Sequence, residues 1–235
     1  MTTGFDGDGA EFSSLSEVWD GKDWYSKAME YWSSQDASIN GVLGGFGDLH
    51  PTDLAGSEMF LNQLTIPATG VGADCGAGVG RITQFLLSKK LVCVDIIEPC
   101  AKLIEKAKQD LPLTMPKDKI GEYVCEPLQQ WKPKVGTYDL MWHQWVLLYL
   151  KDEDCVAYLE RCKAALKPGG YICIKENVGL KGHFLVDNDD NSVTRTLDQY
   201  KDLFSRAGLK IVTQVRQARW PTHLFPVLMW ALVPI

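Results

Sequence analysis

The chain has 235 residues, of which 46% are apolar, so it can bury a substantial core and is expected to fold alone as one domain. A net charge of −6 speaks against a partner held through its phosphates, because that binding requires a basic stripe; no direct nucleic-acid contact is expected. The seven cysteines are odd in number and show no Cys-x-x-Cys spacing, which reads as reduced thiols in the cytosol, with the nucleus also open.

Residues 1–15 are polar, acidic and Gly-rich, lack the apolar region of a signal peptide, and are expected to be a disordered tail. Residues 16–65 should form a helical cap over the strand ends, and residues 66–235 the core, the whole making a single domain. From Val71 on, short apolar runs alternate with amphipathic stretches, the pattern of strands joined by crossover helices. Strands are expected at Thr69 to Asp74, Leu91 to Glu98, Gly121 to Glu126, Tyr138 to Gln144, Tyr171 to Asn177, Leu209 to Arg216 and Leu224 to Leu232. Helices are expected at Gly80 to Ser88, Pro99 to Asp110, Asp152 to Leu166 and Thr196 to Ala207. The last two strands are joined by too few residues for a crossover helix and should pair antiparallel. The fold class is therefore α/β: a seven-stranded, Rossmann-like, mostly parallel sheet with an antiparallel C-terminal hairpin and an N-terminal helical cap. The longest apolar runs, such as Trp145 to Leu150, fall far short of the roughly 18 residues of a membrane span.

In such a sheet, ligands bind at the carboxyl ends of the strands, and the first strand-helix turn reads "ADCGAGVGRIT". Gly76, Gly78 and Gly80 allow a tight turn and close approach of a ligand to the backbone. A dinucleotide site would have Gly or Ala where Arg81 stands, whereas a long cation suits a carboxylate. Glu98 ends the second strand, where an acid can accept both ribose hydroxyls; Asp95 falls inside that strand and is read as structural. Leu128 and Gln129 follow the third strand, at the place of an adenine partner, and Gln144 closes the fourth. An adenosine bearing a carboxylate and no pyrophosphate points to S-adenosylmethionine, with S-adenosylhomocysteine as product.

The stretches "EYWSS", "GVLGGFGD", "DCGAGVGRIT", "HQWVLLYL", "RCKAALKPGGYICIKEN" and "DNSVTR" resemble the protein α-N-terminal methyltransferases, over about residues 25–232. The resemblance implies transfer of methyl groups from S-adenosylmethionine to the free α-amine of proteins beginning Xaa-Pro-Lys, ribosomal and chromatin proteins being typical of the family. It further implies that Asp190 handles the amine proton with Asn177 as hydrogen-bonding partner, and that Asp187 holds the lysine of the acceptor. Trp145 would wall the acceptor's proline, Trp32 and Tyr31 would form part of a lid over cofactor and peptide, and Leu43 and Gly44, with Gly45 and Gly47, would lie along the peptide backbone. Phe225 falls where the family has Tyr, and Tyr149 where it often has His, so a second base is in doubt.

Other readings remain open. Asp187, Asp189 and Asn191 fit the first three ligand positions of a calcium loop, but Ser192 stands where the turn needs Gly and Asp198 where Glu is needed, and the histidines show no zinc spacing; no metal is expected. A plain solvated loop, a small-molecule methyltransferase, a non-catalytic protein that binds S-adenosylmethionine, and a dehydrogenase are the alternatives. His143 is expected to be a satisfied core histidine, and Trp19, Trp24, Trp131, Trp142, Trp220 and Trp230 to serve packing. A monomer is expected.

Overall fold

The computed structural model describes residues 2–19, 23–180 and 182–235; Met1 of the expected tail and residues 20–22 of the expected cap lie outside these. The chain opens with two short strands, β1 (Gly4–Asp6) and β2 (Glu11–Phe12). Helices α1 (Leu15–Trp19), α2 (Trp24–Ser34) and α3 (Ile39–Val42) follow, and a 3-10 turn at Gly47–Leu49 leads into α4 (His50–Leu61). The core then alternates as expected: β3 (Val71–Cys75), α5 (Arg81–Phe85), β4 (Cys93–Ile97), α6 (Ala101–Thr114), β5 (Ile120–Val124), β6 (Tyr138–Gln144), α7 (Asp152–Ala165) and β7 (Leu166–Asn177). After β8 (Phe184–Asp187) and β9 (Ser192–Thr194) come α8 (Leu197–Arg206), β10 (Leu209–Arg216) and β11 (Val227–Pro234).

The main sheet has seven strands in the order β10-β11-β7-β6-β3-β4-β5. β11 pairs antiparallel with both β7 and β10, and the other pairs are parallel. The chain runs outward from β3 to β5 and then returns to lay β6 on the other side of β3, so the switch in strand order falls between β3 and β6. β6 is buried throughout, with Met141 in one core beside Tyr158 and Leu159 of α7, and Leu140 and Trp142 in the other beside Phe60 and Leu61 of α4. Thus α4 covers a face of the sheet rather than the strand ends, a correction to the cap as a whole. His143 is buried on β6 as expected, with its ring nitrogens 3.2 Å from the Cys173 carbonyl and 2.9 Å from the Tyr158 hydroxyl. Burial lowers its pKa to about 4, so it is neutral.

The expected disordered tail is corrected. β1 and β2 join β8 and β9 in a second, four-stranded sheet of order β2-β1-β8-β9. A side chain at Gly4 would collide with the Phe184 ring, its Cβ falling 2.2 Å from it, so Gly is needed for this close strand pairing. Thr3 Oγ1 lies 2.9 Å from His183 Nδ1, and Asn188 Nδ2 donates to Asp6 at 2.7 Å. The acidic stretch is therefore the turn of a β-hairpin braced by the N-terminal segment. No helix of the described residues is long and apolar enough to cross a membrane.

Candidate active site

β3 ends at Cys75, and Gly76 turns away with φ 77°; a side chain there would bring its Cβ to 2.5 Å from Val146. Gly80, φ 80°, starts α5 and is closed off by Leu111, 2.9 Å from where its Cβ would stand. The turn is tied down by two buried acids. Asp74 accepts from the Thr83 amide at 2.9 Å and its hydroxyl at 2.7 Å, and burial pushes its carboxyl up to about 6. Glu98, just past β4, accepts from the Gly78 and Cys100 amides at 2.9 and 2.8 Å, and burial pushes it up to about 7. Each carboxylate oxygen of Glu98 has a further lone pair for a ligand hydroxyl. Asp95, inside β4, bonds instead to the Tyr138 hydroxyl and the Glu122 amide, both at 2.8 Å, which agrees with a structural role.

Arg81 is buried and ion-paired through Nη1 with Asp53 at 2.6 Å. Asp53 in turn meets Lys175 Nζ at 2.5 Å and accepts from Gln144 Nε2 at 2.8 Å. Burial disfavours the ionised Asp53, yet the Lys175 and Arg81 charges outweigh it and hold the carboxyl below its usual range. Among the described residues, the hydrogen bonds of Arg81 run through Nη1, which leaves Nε and Nη2 for a carboxylate. A glycine turn, a ribose-competent acid at the next strand end and a held guanidinium together fit an adenosine that carries a carboxylate.

On the other side of the switch, β6 gives way to Trp145 in the left-handed region, φ 52°. Its Nε1 donates to Asn177 Oδ1, at the end of β7, at 3.2 Å, and the Arg81 guanidinium stands 5.5 Å over the ring. The turn that follows is held from two directions. Buried Glu176 accepts from the Val146 and Leu147 amides at 2.9 and 2.8 Å, and buried Arg195 donates to the Leu147 carbonyl at 3.0 Å while pairing with Asp152 at 2.7 Å. This presents Tyr149, whose hydroxyl donates to Asp190 Oδ2 at 2.7 Å. Burial, then the Asp190 charge, keep the Tyr149 phenol far above its usual pKa, so it is a neutral donor. Asp190 Oδ1 is buried with no hydrogen-bond partner among the described residues. Burial and the Asp187 charge push the Asp190 carboxyl up, with Ser192 and Tyr149 pulling the other way. Asn191, φ 53°, turns the hairpin here and donates to the Trp24 carbonyl at 3.1 Å.

These groups open onto one cleft of about 840 Å³, within the range of small-ligand sites. Gly76, Gly78, Arg81, Glu98, Leu128, Gln129, Gln144 and Trp32 line it, as do Asp187, Asp190, Asn177, Trp145, Tyr31, Leu43, Gly44, Tyr149 and Phe225. Gly80 does not line it; it stands behind the turn, where packing on Leu111 accounts for it. Gly45 and Gly47 are likewise absent from the wall. Asp187 is exposed at the end of β8, where its Oδ1 accepts from the Asp189 amide at 2.8 Å. Sequence reasoning missed Asp53, Asp74, Phe46, Gly7, Asp8 and Trp220, all on the wall except Asp53, which acts on it through Arg81 and Gln144. Asp74 was within reach of sequence reasoning, since it is the last acid before the glycine turn. No group of three or more His, Cys, Asp or Glu side chains among the described residues is placed to hold a metal ion.

Residues 20–233 match the family described as AdoMet-dependent proline di-methyltransferase. The chain is 41% identical over 221 residues to an alpha N-terminal protein methyltransferase 1 of Schizosaccharomyces pombe, covering 92% of this chain and 98% of that one. It is 37% identical over 224 residues to an N-terminal Xaa-Pro-Lys N-methyltransferase 1-B of Xenopus laevis, covering 93% and 99%. A solved SAM-dependent methyltransferase of Leishmania major superposes with a TM-score of 0.92 at 38% identity, over 98% of this chain and 96% of that one.

Proposed function

The chain belongs to the S-adenosylmethionine-dependent α-N-terminal protein methyltransferases, and from that premise we propose that its acceptor is the free α-amine of proteins beginning Xaa-Pro-Lys. The observation that carries this reading is Asp190: a carboxylate in the cleft wall, steadied by Tyr149 through one oxygen and with no hydrogen-bond partner for the other among the described residues. When bound, S-adenosylmethionine supplies a methyl group activated by its sulfonium charge. An α-amine has a pKa of about 7.7–8.0, so at pH 7 most of it is protonated and has no lone pair to offer. The Asp190 carboxylate takes that proton. Its raised pKa narrows the gap to the amine and makes it a better base than an exposed aspartate. Asn177 Oδ1, already facing Trp145 Nε1, has a second lone pair to orient an amine N–H. Tyr149 steadies Asp190 and takes no proton itself, so one base serves. Glu98 receives the ribose hydroxyls and Arg81 the cofactor's carboxylate, with Leu128 and Gln129 at the adenine.

Exposed Asp187, beside Asp189 on the same turn, suits a lysine two residues beyond the reacting nitrogen. The seven free thiols support a reducing compartment, the cytosol or nucleus, where ribosomal and chromatin proteins are met. We place the enzyme there as a monomer.

Two outcomes follow. A Ser-Pro-Lys peptide is expected to show a KM lower than Ser-Pro-Gln by roughly two- to fivefold, the size of an exposed ion pair, and Asp187→Asn should erase the difference. Better turnover of ethanolamine than of either peptide would instead favour a small-molecule methyltransferase. The second outcome concerns cofactor affinity, which should rise with pH up to about 7 and level off above it, because ionised Glu98 is the better acceptor of hydroxyls and titrates there. Below that value each pH unit should weaken S-adenosylhomocysteine binding by up to about tenfold in calorimetry, since protonation competes with the ligand. Glu98→Gln should flatten the profile, and a flat wild-type profile would remove Glu98 from that role.

A further inference from the structure

Trp220 belongs to none of the apolar core clusters of the described residues, although its size suggests packing. It lies in the connection between β10 and β11 and lines the cleft beside Trp145, the two ring centroids 6.1 Å apart at 37°. The indole Nε1–H is shielded from water and meets no acceptor among the described residues.

The backbone supplies a second line of support. Among the described residues, three that are not glycine have left-handed φ: Trp145 at 52°, Asn191 at 53° and Arg219 at 54°. Such conformations are sparsely populated and persist where the surroundings enforce them, often at functional sites. Here each sits at the same cleft: the first is itself on the wall, the second directly follows Asp190, and the third directly precedes Trp220. Pro221 then restricts Trp220 from the other side, and Gln217 anchors the start of the connection, donating to the Thr52 carbonyl at 2.9 Å and accepting from Lys175 at 2.7 Å. The indole is thus held in place before any ligand arrives.

We infer that Trp220 is a specificity-determining contact residue for the acceptor: its ring extends the Trp145 wall around the apolar ring of the acceptor's second residue. This rests on the peptide reading above. Large, rigid aromatic side chains dominate recognition of this kind because they bury much area with few rotors.

The test compares wild type, Trp220→Ala and Trp220→Phe on Ser-Pro-Lys and Ser-Ala-Lys peptides, with S-adenosylhomocysteine affinity measured alongside. Trp220→Ala is expected to raise KM for Ser-Pro-Lys by roughly tenfold or more with kcat changed little, cofactor affinity unchanged, and the preference for proline over alanine reduced. Trp220→Phe keeps a smaller ring on the wall, so its KM should fall between the two. An unchanged KM and an unchanged proline preference in Trp220→Ala would overturn the inference. If Trp220→Ala fails to bind the cofactor, Trp220→Phe decides by the same KM comparison. The wild-type arm is separate: wild type that binds S-adenosylhomocysteine yet methylates neither peptide overturns the peptide reading, and this inference with it.

Discussion

Asp190→Asn is expected to lower kcat on a Ser-Pro-Lys peptide by about 10²- to 10⁴-fold while leaving S-adenosylhomocysteine affinity at the wild-type value. The substitution keeps the shape, and its amide oxygen can still accept from Tyr149, but it cannot take the amine proton. Tyr149 does not replace it, because its burial, the largest cause and one that the variant keeps, holds its phenol far above the working pH. His143 does not replace it either, being fully buried on β6 and bonded to Cys173 and Tyr158. The variant should regain part of its rate as pH rises past the amine's own pKa of about 8, since solvent then removes the proton. A loss smaller than tenfold, read from initial rates at pH 7, would take the proton away from Asp190.

Asp53→Ala should be the most destabilising single change at the site, by about 3–5 kcal/mol. Asp53 and Lys175 are fully buried and Arg81 nearly so, and the Asp53 carboxylate pairs with both cations. Removing it leaves Lys175 with Ser57, the Asp53 backbone carbonyl and Gln217 as neutral acceptors, and Arg81 without its counter-charge. For a domain of this size the loss corresponds to a fall in Tm of about 6–20 °C. The sign of the pH dependence follows from the lowered carboxyl pKa: Asp53 contributes stability at pH values above the ordinary carboxylate range, and the contribution disappears as pH falls through the depressed native value. The gap between wild type and variant should therefore close in acid. A Tm within 2 °C of wild type at pH 7 would show that the trio is held together by something other than its charges.

The two sets of residues differ in how far sequence reasoning reached them. β6 and β10 fall at the expected boundaries because their signals are local: a dense apolar run for the buried strand, alternation for the half-exposed one. The glycine turn and Glu98 were also legible, since a parallel sheet dictates where ligands sit and the spacing follows from it. α7 ends at Ala165, one residue before the expected Leu166, and β7 starts at Leu166 rather than Tyr171, because strand pairing begins before the Gly-Gly turn signal.

The N-terminal strands were misread for a physical reason. Gly4–Asp6 and Glu11–Phe12 have a composition that disfavours strands, and they form here because β8 offers an edge and Phe184 fills the space that Gly4 leaves. Asp53 was hidden in the same way. Its neighbours in sequence look like any helix start, while its meaning comes from Lys175, 122 residues further on. In the sequence Trp220 reads as packing, as most tryptophans do, and only the fold brings it beside Trp145.

The central claim is that a free protein α-amine is the acceptor. Mass spectrometry of a Ser-Pro-Lys peptide incubated with the enzyme and S-adenosylmethionine, beside the same peptide acetylated at its N-terminus, tests it most directly. The free peptide should gain methyl groups and the acetylated one none, although its lysine is intact. Methylation of both peptides, or of neither while the cofactor binds, would contradict the claim.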